Sequence, residues 1–250
     1  MSLAATQLCG FMANETFTPA HVSGLVLWLR GDRGLFTDTA GTTPVATAGD
    51  AVALWKDQSG LGNNYSQSTS GNRPAWQTSV VNSQHIVRFD GSNDTLTGPS
   101  FSSLTAGEIF AVVKNDTDPP VIAKSGLWEF GTDANPSHYP FTDSIIYDSF
   151  GTTARKTTVN PAPALTSPRL YNVVSRSGEW TSFLDGTQIF TTATNTVGFP
   201  TTTYICSNPT PDRFLDGDIA EVILYNKKLS AAEKTNVKAY IAARYGLTIA

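Results

Sequence analysis

Short apolar runs separated by turn residues extend along almost the whole of this 250-residue chain. Runs of this kind, bounded by Gly, Pro, Asn, Asp and Ser, are typical of β-strands joined by turns. The predicted strands are Leu25–Arg30, Val52–Asp57, Ile86–Asp90, Ile109–Lys114, Ile145–Phe150, Arg169–Ser175, Trp180–Leu184, Thr187–Thr191, Tyr204–Ser207 and Asp218–Asn226. Because no helical pattern is interspersed among them, the sequence predicts an all-β fold, a two-sheet antiparallel jelly-roll sandwich.

Two local signals add detail to this prediction. Asp185-Gly186 lies between alternating residues and predicts a two-residue hairpin with a type I′ turn. Ser230 and Glu233 have the spacing of a capping box, and Gly246 is suited to the left-handed position that ends a helix. The apolar stripe between them consists of Val237, Tyr240, Ile241 and Tyr245. The chain is therefore expected to end in one helix over 230–245 on the surface of the sandwich.

The composition of the chain excludes two classes of partner. Charged residues are only 15% of the chain, and the net charge of −4 with a pI near 5.3 provides no basic surface for a phosphate backbone. No apolar run approaches the roughly 18 residues of a membrane-spanning helix. We therefore expect neither nucleic acid nor a membrane as a partner.

The N-terminal residues do not resemble a secretory signal peptide. No Lys or Arg precedes Arg30, and Met1–Ala13 contains no continuous apolar stretch. We expect a virion or an extracellular surface as the location, reached without an ordinary leader. Cys9 and Cys206 lie in unrelated contexts, and their spacing leaves open whether they form a disulfide or remain separate thiols.

Residues 1–19 are expected to form an arm outside the sandwich. The apolar residues of this arm are Leu3, Leu8, Phe11, Met12 and Phe17. Disordered tails are poor in such residues, so we expect the arm to dock on a partner chain as an added strand or in a groove. The alternatives are an arm that folds back on its own domain and a disordered tail.

A set of motifs in a fixed order resembles a known family. The motifs are Phe17–Arg30, Leu54–Asn64, Arg73-Pro74, Val87–Asp94, Phe214–Asn226, Leu229–Glu233 and Ala239–Leu247. Together they resemble the laminin-G-like jelly rolls of the concanavalin-A-like lectin/glucanase superfamily. The resemblance implies two stacked antiparallel sheets in one domain over residues 20–250, with the first and last long strands adjacent.

The resemblance implies several functions, because such domains include lectins, adhesion modules, glycosidases and structural proteins. The opening motif at Phe17 is also similar to sequences of tailed-phage virion proteins. The expected function is a non-catalytic recognition and assembly module on a virion, which contacts cell-surface glycan or a neighbouring structural protein. The alternative is a bacterial extracellular carbohydrate-binding or adhesion module, and a remote alternative is a glycoside hydrolase. Self-association into a homo-oligomer stays open.

One segment resembles a catalytic motif. Glucanases of the superfamily carry Glu-x-Asp-x-x-Glu, and retaining hydrolysis needs two carboxyl groups about 5–5.5 Å apart. This chain has Asp216-Gly-Asp218-Ile-Ala-Glu221, with Asp in place of the nucleophilic Glu. The segment matches the closing strand of non-catalytic members equally well. Since the chain also lacks zinc-ligand spacing and a Gly-x-Ser-x-Gly motif, we expect no enzyme and no catalytic residues.

Two kinds of ligand-binding residue are candidates. Oxygen-rich loops at Asp57 and Asn63, and at Asp90, Asn93 and Asp94, are either a calcium site or turns capped by their own side chains. No other cofactor is expected. The candidate rings for stacking on a sugar are Trp76, Trp128, Tyr139, Phe141 and Trp180, each of which has core packing as its alternative role.

Overall fold

The structure is a computed structural model that describes residues 17–120, 125–135, 137–206 and 213–250. Its strands are β1 Leu25–Arg30, β2 Leu35–Phe36, β3 Leu54–Trp55, β4 Tyr65–Ser66, β5 Ala75–Val81, β6 Gln84–Asp90, β7 Leu96–Gly98, β8 Ala106–Asn115, β9 Trp128–Glu129, β10 Tyr147–Asp148, β11 Lys156–Thr157, β12 Arg169–Arg176, β13 Glu179–Leu184, β14 Thr187–Thr192, β15 Thr203–Ile205 and β16 Asp216–Tyr225. One α-helix, α1 Ala231–Tyr245, follows the last strand, and short 3-10 turns lie at Pro19–His21 and Ser70–Asn72. In this described part, no helix is long and apolar enough to span a membrane.

The strands form two main antiparallel sheets. The large sheet has the order β14-β13-β12-β8-β16-β6-β5, with β1 also paired to β16. The small sheet has the order β2-β3-β4-β7-β15-β9, and β10 pairs with β11 apart from both. The predicted all-β sandwich is confirmed. The adjacency of the first and last long strands is also observed, since β1 pairs with β16.

Alternation along the strands divides the apolar residues into two clusters. Leu27 and Leu29 of β1 point into the main core, where they join Trp55 of the small sheet. Trp28 points to the opposite face of the large sheet and packs in a second cluster with Ile223. We call this opposite side the outer face of the large sheet.

Helix α1 covers the outer face. The Oγ of Ser230 accepts a hydrogen bond from the Glu233 amide, and the Glu233 carboxylate accepts one from the Ser230 amide, so the predicted capping box is present. Gly246 adopts the left-handed conformation with φ of 66°. Val237 and Ile241 are buried against the sheet. The predicted surface helix is therefore confirmed, together with its start and end.

The hairpin prediction is also confirmed, but some predicted strands are shorter than expected. Asp185 and Gly186 both have positive φ, and the strands close around them with Leu184 opposite Thr187. The apolar runs Val52–Asp57 and Ile145–Phe150 contain only the two-residue strands β3 and β10. Much of their backbone bonds instead to loops and side chains, as where the Asp148 carboxylate accepts from the Phe150 amide.

Strands β1 and β6 meet end to end on one edge of β16, because β8 occupies the other edge. Pairing with β6 ends at Ile219, and pairing with β1 begins at Glu221. The intervening Ala220 is a β-bulge, which places Ala220 and Glu221 on the same outer face in succession. We call this meeting point the strand junction. From it the chain leaves β1 and crosses to the small sheet.

The predicted arm is described only at its end. Leu3, Leu8, Phe11 and Met12 lie outside the described residues, as does Cys9, while Cys206 is buried. Phe17 packs against the outer cluster of its own domain, with its ring 5.8 Å from that of His21. Docking of residues 1–19 on a partner stays a prediction, but Phe17 contacts this domain.

Candidate functional site

Glu221 occupies the centre of the strand junction, beneath helix α1. Its Oε1 accepts hydrogen bonds from the Trp28 indole Nε1 and, at 2.9 Å, from the Tyr240 hydroxyl. Its Oε2 lies 3.7 Å from Nε of Arg244. The carboxyl group is almost completely buried, and this burial raises its pKa in spite of the surrounding donors. Glu221 therefore joins β16, β1 and α1 through one side chain.

Asp32 lies just beyond the end of β1 and is held by two arginines. Nε and Nη2 of Arg30 donate to its two oxygens at 3.0 and 2.9 Å, and Nη2 of Arg244 lies 2.6 Å from Oδ2. Burial raises the pKa of Asp32, but the hydrogen bonds and charge of Arg30 and then of Arg244 outweigh it, so the net pKa is lowered. Arg244 thus contacts both Asp32 and Glu221.

Within the described ranges, two cavities adjoin this network. The first, of about 310 Å³, lies at the edge of the sandwich, where Asp32, Arg33, Trp76 and His85 provide its polar and aromatic lining and Leu35 its apolar lining. We call it the edge cavity.

The second cavity, of about 550 Å³, lies beside helix α1 and is lined by Gln84, Tyr240 and Arg244 among others. Gln84 and His85 are consecutive on β6, so their side chains point to opposite faces of the sheet. The ion pair of Asp32 with Arg244 connects the two cavities.

The edge cavity has a rigid aromatic wall. The indole Nε1 of Trp76 donates to the Gly31 carbonyl at 2.7 Å, and its ring lies 5.0 Å from the His85 ring. The His85 Nδ1 accepts from the Ser79 amide at 3.2 Å. The backbones of Gly31 and His85 lie close together, and only glycine fits there, because a Cβ at Gly31 would lie 2.3 Å from the His85 carbonyl oxygen. The walls are therefore fixed before any ligand arrives.

The structure separates the five aromatic residues predicted to stack on a sugar. Trp128, Tyr139 and Trp180 are buried in the main core, so these three rings present no face to solvent. Trp128 lies on the two-residue strand β9 and Tyr139 in a loop, where side-chain alternation gives no signal, and Trp180 is the second residue of β13 and faces the main core. Trp76 is mostly buried but lines the edge cavity.

Phe141 lies elsewhere, in a half-exposed cluster. Its ring is 4.7 Å from that of His138 and 5.9 Å from that of Tyr147. The Tyr147 hydroxyl donates to Asp143, and Arg155 lies over the Tyr147 ring. Burial lowers the pKa of His138 to about 3, with the charges of Arg213 and Arg155 acting in the same direction. None of the ring contacts among the described residues links this cluster to Trp76, and stacking of Phe141 on a sugar stays a prediction.

In the loops predicted to bind calcium, carboxylate oxygens accept hydrogen bonds from backbone amides. The Asp57 carboxylate accepts from the amides of Trp28, Ser59 and Asn63. The Asn63 amide group donates to the Val26 carbonyl. The bonds from Ser59 and Asn63 to Asp57 cap turns within the loop, and those that involve Trp28 and Val26 tie the loop to β1.

In the second of these loops, Asp90 accepts from the amides of Ser92 and Asn93, and Asp94 accepts from that of Asp90. Burial and the charge of Asp90 raise the pKa of Asp94 to about 6. Within the described ranges, no group of three or more His, Cys, Asp or Glu residues is arranged to hold a metal. Calcium binding stays a prediction.

The segment that resembles a glucanase motif is divided between separate contacts. The Asp218 carboxylate accepts from Nε and Nη2 of Arg88 at 2.7 and 2.9 Å, and Lys114 lies 3.6 Å away. Glu221 is buried beneath α1, where it accepts from the Trp28 indole and the Tyr240 hydroxyl. The two carboxyl groups therefore have separate cationic partners and share no cavity among those described.

The residues around the edge cavity were missed by sequence reasoning, with the exception of Trp76. One signal was available: Arg30-Gly31-Asp32-Arg33-Gly34 places three charged residues at the end of a buried strand, in a chain that has few. For His85 and Arg244 no local signal exists. They reach this site only through the pairing of β6 and the packing of α1.

Comparison with solved structures identifies similar folds. A Trypanosoma rangeli sialidase in complex with 2,3-difluorosialic acid is similar with a TM-score of 0.58 and 14% identity, over 89% of this chain and 33% of the sialidase chain. A GH54 α-L-arabinofuranosidase soaked with a cyclic sulfate inhibitor is similar with a TM-score of 0.55 and 13% identity, over 78% of this chain and 51% of that enzyme. The chain thus spans a third to a half of these proteins. At such identity, the likeness establishes the fold.

No protein-family model and no curated protein sequence matches the chain. The structural likeness contradicts the predictions of a non-catalytic virion module and of a protein that is no enzyme, because the similar structures are glycosidases. It supports the β-sandwich, but the laminin-G and tailed-phage resemblances receive no support from it.

Proposed function

We propose that this chain is a carbohydrate-binding β-sandwich unit of a glycan-processing protein, and that the sugar binds in the edge cavity. The observation that carries this proposal is the convergence of Trp76, His85, Asp32 and Arg33 on one cavity of about 310 Å³. Small-molecule sites have volumes of about 300–1,000 Å³, so this cavity suits one sugar ring.

The chemistry of the lining suits a sugar. The aromatic rings of Trp76 and His85 offer an apolar surface for the C–H groups of a pyranose. Asp32, whose pKa is lowered, is a charged acceptor for hydroxyl groups. Arg30 and Arg244 hold this carboxylate in position, so binding requires little ordering of side chains.

The comparisons support the same proposal. Both similar proteins act on sugar derivatives according to their names, and this fold is one part of each chain. A unit of this size in a larger glycan-processing protein is consistent with that partial coverage.

A glycan array followed by isothermal titration calorimetry on the best ligand tests this proposal. We expect binding that weakens at least about tenfold in His85→Ala, since one wall of the cavity is lost. His21→Ala is the matched control, because His21 does not line the edge cavity. A chain that binds no glycan on the array, or a His85→Ala variant with unchanged affinity, would refute the proposal.

Glycoside hydrolysis is a second candidate, and one observation favours it. Asp32 and Glu221 both contact Arg244, and their pKa values are shifted in opposite directions. Such a division is typical of the two carboxyl groups in glycosidases. Burial of Glu221 under Tyr240 makes binding the first candidate. Release of reducing ends from the array ligand that disappears in Asp32→Asn would establish hydrolysis, and no release would exclude it for that ligand.

A further inference from the structure

The edge cavity has an excess of positive charge. Three guanidinium groups, those of Arg30, Arg33 and Arg244, lie at or next to it. In the part of the chain that the structure describes, two carboxyl groups pair with them, those of Asp32 and Glu221. Burial raises the pKa of Glu221, which favours its neutral form and increases the excess. This local charge contrasts with the net charge of −4 of the whole chain.

Among the described residues around the edge cavity, Arg33 is the cation that remains available. Arg30 and Arg244 both form ion pairs with Asp32. Arg33 is exposed, and its guanidinium has no side-chain partner in the described part of the chain. Its backbone is fixed by a turn in which its amide donates to the Arg30 carbonyl at 3.3 Å. The following Gly34 has a φ of 77°, a conformation that favours glycine and maintains the turn.

This arrangement discriminates between neutral and anionic ligands. A guanidinium binds a carboxylate through two parallel hydrogen bonds, which are stronger than bonds between neutral groups. The carboxylate of Asp32 does not oppose such a ligand, because two arginines already neutralise it. A neutral sugar would leave the charge of Arg33 without a partner.

We propose that the edge cavity selects sugars that carry a carboxylate, and that Arg33 binds this group. The inference rests on the proposed function, since it names the ligand class of the same cavity. The carboxylate lies on Arg33, and the sugar ring lies against Trp76 and His85. Hexuronic and sialic acids share the required chemistry.

Matched pairs of ligands test this inference separately from the proposed function. Calorimetry at 0.05 M NaCl compares methyl glucuronide with methyl glucoside, and methyl sialoside with its carboxamide. We expect each carboxylate to bind at least about tenfold more tightly than its neutral partner, as charged hydrogen bonds imply. The preference is expected to decrease in 0.5 M NaCl.

Variants of Arg33 complete the experiment. Arg33→Gln is expected to abolish the preference and retain residual sugar binding, and Arg33→Lys to restore part of it. The matched control is Arg176→Gln, an exposed arginine on β12, separated from β6 by β8 and β16. Equal binding of both members of each pair would overturn the inference and leave the proposed function standing. Binding of neither member of any pair would also overturn the inference, and the proposed function would then stand only if another glycan binds on the array.

Discussion

Substitution of Glu221 tests the structural account of the strand junction. Glu221→Ala removes the acceptor of two donors, the Trp28 indole and the Tyr240 hydroxyl. A buried donor left without a partner costs about 1–3 kcal/mol. Trp28 is buried, whereas Tyr240 is only half-buried and its hydroxyl is able to reach water. We therefore expect a loss of about 3 kcal/mol in the free energy of unfolding, most of it from the Trp28 indole. Glu221→Gln retains an acceptor oxygen and is expected to cost about 1 kcal/mol or less.

The pH dependence of the same variants gives a second test. The pKa of Glu221 is raised in the folded protein, so the folded state favours the protonated carboxyl group. Its contribution to stability is present below the unfolded pKa and is lost as the pH rises through the folded pKa. The glutamine variant has no such titration. The free energy of unfolding of Glu221→Gln, relative to that of the wild type, is therefore expected to be higher at pH 7.5 than at pH 4.

Urea denaturation followed by tryptophan fluorescence measures these differences as shifts of the midpoint at constant m-value. Glu179→Gln is the control, because its partners Arg176 and Lys228 form exposed ion pairs expected to contribute less than about 1 kcal/mol. Equal losses in Glu221→Gln and Glu221→Ala would show that the charge, and not the acceptor, stabilises the junction. The predicted difference between the two variants would then be wrong.

Two further predictions concern the core and the helix. Asp148→Ala is expected to cost at least about 4 kcal/mol in thermal or urea unfolding, because the buried carboxylate accepts from four donors, one of them the Tyr171 hydroxyl. Asp148→Asn, which retains an acceptor, should cost clearly less, and equal costs would contradict this account. Ser230→Ala is expected to lower stability by about 1 kcal/mol through loss of the cap on the Glu233 amide, and an unchanged melting temperature would argue against it.

Elements with local signals could be predicted from the sequence alone. Asp185-Gly186 adopts its turn because the next residues in the chain supply the pairing. Ser230, Glu233 and Gly246 define the start and end of α1 through hydrogen bonds within a few residues. The sandwich itself followed from the spacing of short apolar runs, which requires two sheets to bury their inner faces.

Which side chains are accessible depends on the packing of the whole domain. Trp128 and Trp180 lie near turn residues, yet both are buried, because loops and neighbouring strands close over them. A single sequence does not show which face of a short strand another segment covers. The same limit explains why these rings were predicted to stack on a sugar.

The tertiary structure also assembled the candidate site. Asp32, His85 and Arg244 are distant in the chain and have no shared pattern. They meet because β1 and β6 share one edge of β16, and because α1 packs across the point where the two strands meet. Strand order and helix docking arise from burial of apolar surface over the whole domain. No single segment of the sequence therefore predicts the cluster of charged residues around Arg33.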